Sequence, residues 1–266
     1  MNAAESGSGT RSAPGDRAVP NERIGVVGYT VRAAMPAPDT EATLAALASC
    51  GYVNIEPSSG LYGYTGAELG ALIDAAGMKA PSVGLGLGEI EDDLDGVLAT
   101  AKALGARYVR ISGSRSWDAA EYSRVAGVLN DAGARTHADG VTLAYHNHAF
   151  EFEAENGGRL YDILVRETDP DLVDLELDLY WSVVGGVDPV DLFTEYPGRF
   201  PLLHVKDRAP DGSIADVGTG TIDFARIFAH SELAGVEYYF VENDSPKPDG
   251  ITSARASYAN LRALRY

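Results

Sequence analysis

Eight short runs of apolar and β-branched residues alternate along this chain with longer stretches of helical period, and Gly or Pro punctuates the joins. The runs are IGVVGYT (24–30), YVNIE (52–56), KAPSVGL (79–85), YVRISG (108–113), TLAYHNH (142–148), VDLELDLY (173–180), PLLHVKD (201–207) and YYFVEN (238–243). Between them lie patterns such as TEATLAALASCG, GAELGALIDAAG and DDLDGVLATAKALG, several ending on a glycine suited to the left-handed position that closes a helix. Repeated βα units imply a parallel sheet, and eight of them close more naturally into a (β/α)8 TIM barrel than into an open doubly wound sheet. The length of 266 residues matches one such barrel of ~250 residues, predicted over 21–266. The only Gly-rich stretch beside a strand, GLGLGE at 84–89, lacks the spacing of a dinucleotide fingerprint.

Residues 1–20 contain Gly, Ser, Ala and Pro but no apolar run, so they bury too little surface to offset ordering entropy and are expected to form a disordered tail. They carry no hydrophobic stretch of the secretory kind, and no segment approaches the ~20 apolar residues that span a bilayer. No membrane partner and a cytoplasmic location are expected. The formal charge of −18 repels phosphate backbones, so no nucleic-acid partner is expected. The single cysteine, Cys50, sits among small apolar residues and reads as a buried structural thiol.

In a TIM barrel the active site is built at the C-terminal strand ends, so position along each strand decides a residue's meaning. Four runs deliver a potential metal ligand there: His146, Asp178, His204 and Glu242. Two imidazoles and two carboxylates suit one divalent ion such as Zn2+, Mn2+ or Co2+. Side-chain alternation puts Ala144, His146 and His148 on one face of the fifth strand, and Asp174, Glu176 and Asp178 on one face of the sixth.

The combination of GYVNIE, YHNHAFEF, LDLYW, HVKDR with a following GTGTIDF, and VEND resembles the xylose isomerase-like barrels called sugar phosphate isomerases/epimerases, from about Ile24 to Leu264. The resemblance implies one divalent ion held by Glu, Asp, His and Glu on strands five to eight. The last three fall on Asp178, His204 and Glu242, whereas the first position is occupied here by His146. A second ligand carboxylate opposite Glu242 is therefore missing, which weakens a two-base epimerisation. Relatives often carry a histidine on the third strand, where this chain has Gly84.

The activity this implies is that of a sugar isomerase or epimerase acting on a keto sugar or polyol-derived ketone through an enediolate. A dehydratase or hydratase of the inosose dehydratase-like or keto-sugar hydratase-like kind is the alternative, because YHNH resembles their histidine-rich strand. A non-catalytic sugar-binding barrel is a third reading, and an endonuclease IV-like nuclease is disfavoured by the charge. Glu242, His148 and Lys206 are the catalytic candidates. His148 shares the face of His146, and Lys206 shares that of His204, placed to stabilise an oxyanion unless it merely neutralises Asp207. Glu56, Glu151 and Trp181 are the substrate-binding candidates, Trp181 by stacking on a sugar face. A small sugar or polyol is the expected partner, with a homodimer possible.

Overall fold

The computed structural model describes residues 15–114, 116, 118–155 and 158–266. Every predicted run contains a strand, most of them shorter than the run and the third reaching one residue beyond it: β1 Ile24–Val27, β2 Asn54–Glu56, β3 Ser82–Gly86, β4 Tyr108–Ser112, β5 Thr142–His146, β6 Val173–Asp178, β7 Leu202–Val205 and β8 Tyr238–Val241. They pair in parallel in the order β2, β1, β8, β7, β6, β5, β4, β3. The cylinder closes between β2 and β3, where Asn54 bridges Lys79 and the Ile55 and Gly84 N–H groups donate to Lys79 O and Pro57 O, both at 2.8 Å. A helix follows each strand and covers the outside, from Thr40–Cys50 after β1 to Gly250–Ala263 after β8.

Alternation along the strands divides the apolar interior into two bodies. The larger lies between strands and helices and includes Tyr145, Leu175, Leu177, Leu203 and Val205. A smaller one, of Val27, Tyr108, Ala144, Leu202 and Phe240, fills the lower cylinder. Space there is tight: a Cβ on Gly25 would lie 2.4 Å from the Phe240 ring, so only glycine lets that ring cross the axis. One step further along the inward faces the apolar residues give way to Glu56, Arg110, His146, Glu176, Asp178, His204, Lys206 and Glu242, mostly buried. The fold therefore sets a charged mouth on an apolar floor.

Two sequence expectations need correction here. Residues 15–20, assigned to the tail, pack on the barrel: Val19 is fully buried in the main core, and Arg17 and Tyr266 exchange backbone hydrogen bonds of 3.2 and 3.0 Å. Pairing with the C-terminal end orders this piece despite its poor composition; residues 1–14 lie outside the described residues. Cys50 is only half-buried, against the edge of the core. Among the described residues, no helix is long and apolar enough to cross a membrane.

Beyond β7, the Asp207 carboxylate accepts the N–H groups of Arg208, Gly218, Gly220 and Ile222 at 2.7 to 3.2 Å. This buried carboxylate thus pins the GTGTIDF loop, and its partners are backbone amides, not Lys206. Asp207→Ala would strand those donors, and a loss of about 2–4 kcal/mol is expected in urea unfolding; a loss below 1 kcal/mol would show that the loop holds itself.

Candidate metal centre at the barrel mouth

Four of the inward residues at the strand ends converge. His146, Asp178, His204 and Glu242 each offer one ligand atom such that all four lie within 4.8 Å of one another, and all four residues are buried. His204 Nδ1 is 3.0 Å from Glu242 Oε2 and 3.9 Å from Asp178 Oδ2, while His146 Nε2 is 3.5 Å from Asp178 Oδ2. Asp178 is aimed by local structure. As N-cap of the helix Leu179–Val184 it takes the Trp181 N–H on Oδ1 at 2.9 Å, which leaves Oδ2 for the centre.

The donors fit a divalent cation. Both nitrogens of His146 are buried without a hydrogen-bond partner, while Asp178 Oδ2 and Glu242 Oε2 face imidazole nitrogens and share one ammonium, that of Lys206. Buried lone pairs with no donor are costly unless a cation meets them. The mixed imidazole and carboxylate set is that of Zn2+, Mn2+ or Co2+.

Charge balance points the same way. Five carboxylates, Glu56, Glu176, Asp178, Glu242 and Asp244, gather around two permanent cations, Arg110 and Lys206. Burial, and then the neighbouring Glu56, raise the Glu176 carboxyl to about 7, which removes part of one charge. Burial would also raise Glu56, but Arg110, His204 and Ser82 overcome it and bring the carboxyl down to about 2. Carboxylates still outnumber the permanent cations, a surplus of negative charge that a divalent ion would offset.

Lys206 is the closest cation to the ligand set. Nζ lies 2.8 Å from Glu242 Oε2, 3.1 Å from Asp178 Oδ2 and 2.9 Å from Asp244 Oδ2. Burial alone would lower the ammonium, but these three carboxylates hold it above its ordinary value, so it stays charged. Against the burial that opposes it, Lys206, with His204, keeps the Glu242 carboxyl well below its ordinary value. His146 is pushed well below its ordinary value by burial, then by His204 and Arg110, so it is neutral and available as a ligand.

Beneath the centre, His204 Nε2 faces Glu176 at 3.1 Å and Glu56 at 3.2 Å. A carboxylate behind the distal nitrogen fixes which nitrogen carries the proton, and so presents Nδ1 as a lone pair. Glu56, Glu176 and His204 also meet the distance test for a metal site. There, however, the Arg110 Nε already lies 3.1 Å from Glu56 and 3.5 Å from Glu176 and supplies the cation.

The mouth above the centre is a cavity of about 380 Å3 lined by Tyr29, Arg110, His148, Trp181, Lys206 and Glu242, among others. Roomier clefts open elsewhere, such as one of about 600 Å3 between Ile90 and Arg135, but among the described residues they gather no buried ligand set. His148 stands between Trp181 and Phe150, with ring centroids 5.8 and 5.4 Å away, and burial lowers its imidazole from its ordinary value. The Trp181 indole lies 5.5 Å from Lys206 Nζ.

Two substrate-contact expectations are not met. Glu56 does not line the cavity: it is fully buried, with Ser82, Arg110 and His204 on its oxygens. Glu151 turns behind β5, where it takes the Tyr145 hydroxyl at 3.1 Å and the His148 N–H at 2.8 Å. Tyr145 belongs to the outer core, so Glu151 positions the His148 loop from the helix side. Sequence reasoning missed Arg110, Glu176 and Asp244 as members of the charged centre. The signal was present for Arg110, since an arginine on the inward parity of β4 has no solvent to face.

Burial also raises the Glu151 carboxyl to about 7. The unfolded chain releases that proton near ~4.3. Across the window between, the folded state holds a proton that the unfolded state has lost, so stability falls as pH rises. Glu151→Gln can satisfy both partners, its carbonyl taking His148 N–H and its amide meeting Tyr145 Oη. The variant is expected to lose on the order of 3 kcal/mol of that decline. Melting curves of both proteins from about pH 4 to 8 are the check; parallel profiles would refute the assignment.

A closed parallel cylinder with a cluster of candidate metal ligands at its C-terminal rim defines a TIM barrel. The chain belongs to the xylose isomerase-like TIM barrel family, whose sequence profile matches residues 44–264. It is 27% identical over 231 residues to an inosose dehydratase of Geobacillus kaustophilus, covering 70% of this chain and 73% of that protein. A crystal structure of a sugar phosphate isomerase/epimerase from Parabacteroides distasonis matches with a TM-score of 0.80 at 25% identity over 99% of both chains. An IolI protein with a bound zinc atom shares the fold, with a TM-score of 0.71 at 19% identity over 92% of this chain and 99% of that one.

Proposed function

We infer that this protein is a divalent-metal-dependent lyase that removes water from a keto sugar or a polyol-derived ketone such as an inosose. One observation carries the reading. The β5 ligand position is an imidazole, His146, so Glu242 has no opposed ligand carboxylate, while His148, outside the ligand set, lines the same cavity. Epimerisation needs a proton carrier on each face of the reacting carbon, whereas elimination can run on one.

When bound by the four ligands, a divalent ion supplies a Lewis acid that polarises a substrate carbonyl and acidifies the neighbouring C–H. His148 takes that proton. The Lys206 ammonium, held by Asp178, Glu242 and Asp244, offsets negative charge growing on the carbonyl oxygen. The imidazolium then gives its proton to the β-hydroxyl, which leaves as water with the C–O electron pair as the carbon–carbon double bond forms. His148 is restored and no oxidant is consumed. Glu242, its anion stabilised by Lys206 at 2.8 Å, serves better as a ligand than as the base. Trp181 offers a flat face to the ring. The similarity to the Geobacillus inosose dehydratase supports the same chemistry.

A second reading keeps the first step and returns the proton to the adjacent carbon, giving an isomerase or epimerase; the full-length match to the Parabacteroides isomerase/epimerase favours it. Stripping the protein with chelator, reloading Mn2+ or Co2+, and assaying inososes and keto sugars in D2O separates the cases. Dehydration gives an ultraviolet-absorbing unsaturated ketone, while isomerisation gives a deuterated product of unchanged composition. Full turnover in the stripped protein would refute the metal requirement, and sugar binding without exchange or product would mark a non-catalytic barrel.

A further inference from the structure

At the barrel mouth, β3 contributes no side chain at Gly84, and the Arg110 guanidinium of β4 occupies the space. A Cβ on Gly84 would stand 2.2 Å from Arg110 Nη2 and 2.6 Å from Cζ. Gly84 and Arg110 are therefore a matched pair: the arginine crosses to β2 only because β3 stays bare. It is held there by Glu56 at 3.1 Å and Glu176 at 3.5 Å on its Nε side, with Ser112 Oγ 3.4 Å from Nη1. Its side chain is still 13% exposed and lines the cavity. Beside it, Ser58 has its N–H fixed on the Tyr62 hydroxyl at 3.0 Å, yet its own Oγ is buried with no hydrogen-bond partner. An oriented fork of N–H donors and an orphaned hydroxyl thus line the same cavity as His146, His204 and Glu242.

We propose that Arg110 and Ser58 form a specificity subsite for the hydroxyl groups of an uncharged polyol chain or ring bound in the mouth. The subsite rests on the sugar-processing reading of the mouth and names what that mouth selects. An anionic ligand is disfavoured because the Arg110 guanidinium is already held between the carboxyl groups of Glu56 and Glu176. Hydroxyl oxygens need donors without surplus charge, and a guanidinium tied to Glu56 and Glu176 offers that. The bare β3 is the device that admits it, so Gly84 controls specificity without touching substrate.

Isothermal titration of the Mn2+-loaded full chain with xylitol, sorbitol and myo-inositol, which undergo no elimination, tests the subsite apart from turnover. The wild-type protein is expected to bind at least one of them, and to bind the corresponding polyol phosphate more weakly. Arg110→Met and Gly84→Ala, the latter displacing the guanidinium while keeping its charge, are each expected to weaken polyol binding about tenfold or more. Arg110→Lys is not expected to restore it. Monodeoxy analogues supply the readout that a purely structural role would not move: one of them loses affinity for wild type but little further for Arg110→Met. Equal polyol binding by wild type and Gly84→Ala with guanidinium displaced, or tighter binding of the phosphate, overturns the subsite and leaves the metal-dependent reading intact. Failure of wild type to bind any polyol or any keto sugar overturns both.

Discussion

Asp178→Asn is expected to abolish stoichiometric metal binding and to lower turnover by at least 10^3-fold while leaving the barrel folded. The substitution is selective because the two carboxylate oxygens of Asp178 have separate work. Oδ1 caps the helix Leu179–Val184 through Trp181 N–H, a bond an asparagine carbonyl can still accept. Oδ2 is the buried atom that faces His146 Nε2, His204 Nδ1 and Lys206 Nζ. An amide there removes the charge and turns N–H donors toward Lys206 Nζ, 3.1 Å away. Losing a ligand that points straight at the ion should exceed the roughly 10–100-fold cost of altering a residue behind one. Metal content after gel filtration, with melting temperature as the control for folding, checks the expectation. Wild-type metal content in the variant would remove Asp178 from the ligand set, and with it the four-residue centre.

Much of this was legible from the residues because each relevant signal is local. Strand and helix periods differ, and a glycine after several of the helices marks where the next strand begins, so all eight strands are legible with ends within three residues of those observed. The four metal-ligand candidates were legible because a barrel converts position along a strand into depth along one axis, and His146, Asp178, His204 and Glu242 sit at equivalent depths. Relations across the cylinder were not legible. That Arg110 reaches over Gly84 to Glu56 depends on the stagger of three strands and on a missing side chain, and neither is a property of any single segment. Glu151 was misplaced because closeness in sequence to His148 suggested closeness in function, whereas the turn Phe150–Phe152 carries its carboxylate to the back of β5. Asp207 illustrates the same physics from the other side: adjacent strand-end residues point oppositely, so its neighbour Lys206 enters the mouth while Asp207 collects loop amides.

Lys206→Met separates charge balance from ligation, and its expected outcome runs opposite to that of Asp178→Asn. The ammonium touches Asp178, Glu242 and Asp244 but offers no lone pair while charged, so removing it takes away a competitor for the carboxylates and not a ligand. Metal affinity is therefore expected to hold or rise. Stability of the metal-free protein should fall by about 3–5 kcal/mol, the usual penalty for leaving buried charges without their partner. In the wild-type protein the folded ammonium is held above its ordinary value, so its contribution is complete below ~10.4 and fades only as pH rises through the folded value. The deficit in the variant should thus persist across neutral pH, shrink in acid as the carboxylates protonate, and shrink again when Mn2+ replaces the lost positive charge. Turnover, in contrast, should drop about 10^2–10^3-fold with metal saturated, the cost of one missing donor to a developing oxyanion. Melting temperature with and without Mn2+, read beside single-turnover rates, distinguishes the possibilities. A variant that binds metal, regains stability with it and still turns over at the wild-type rate would show that Lys206 balances charge and takes no part in the chemistry.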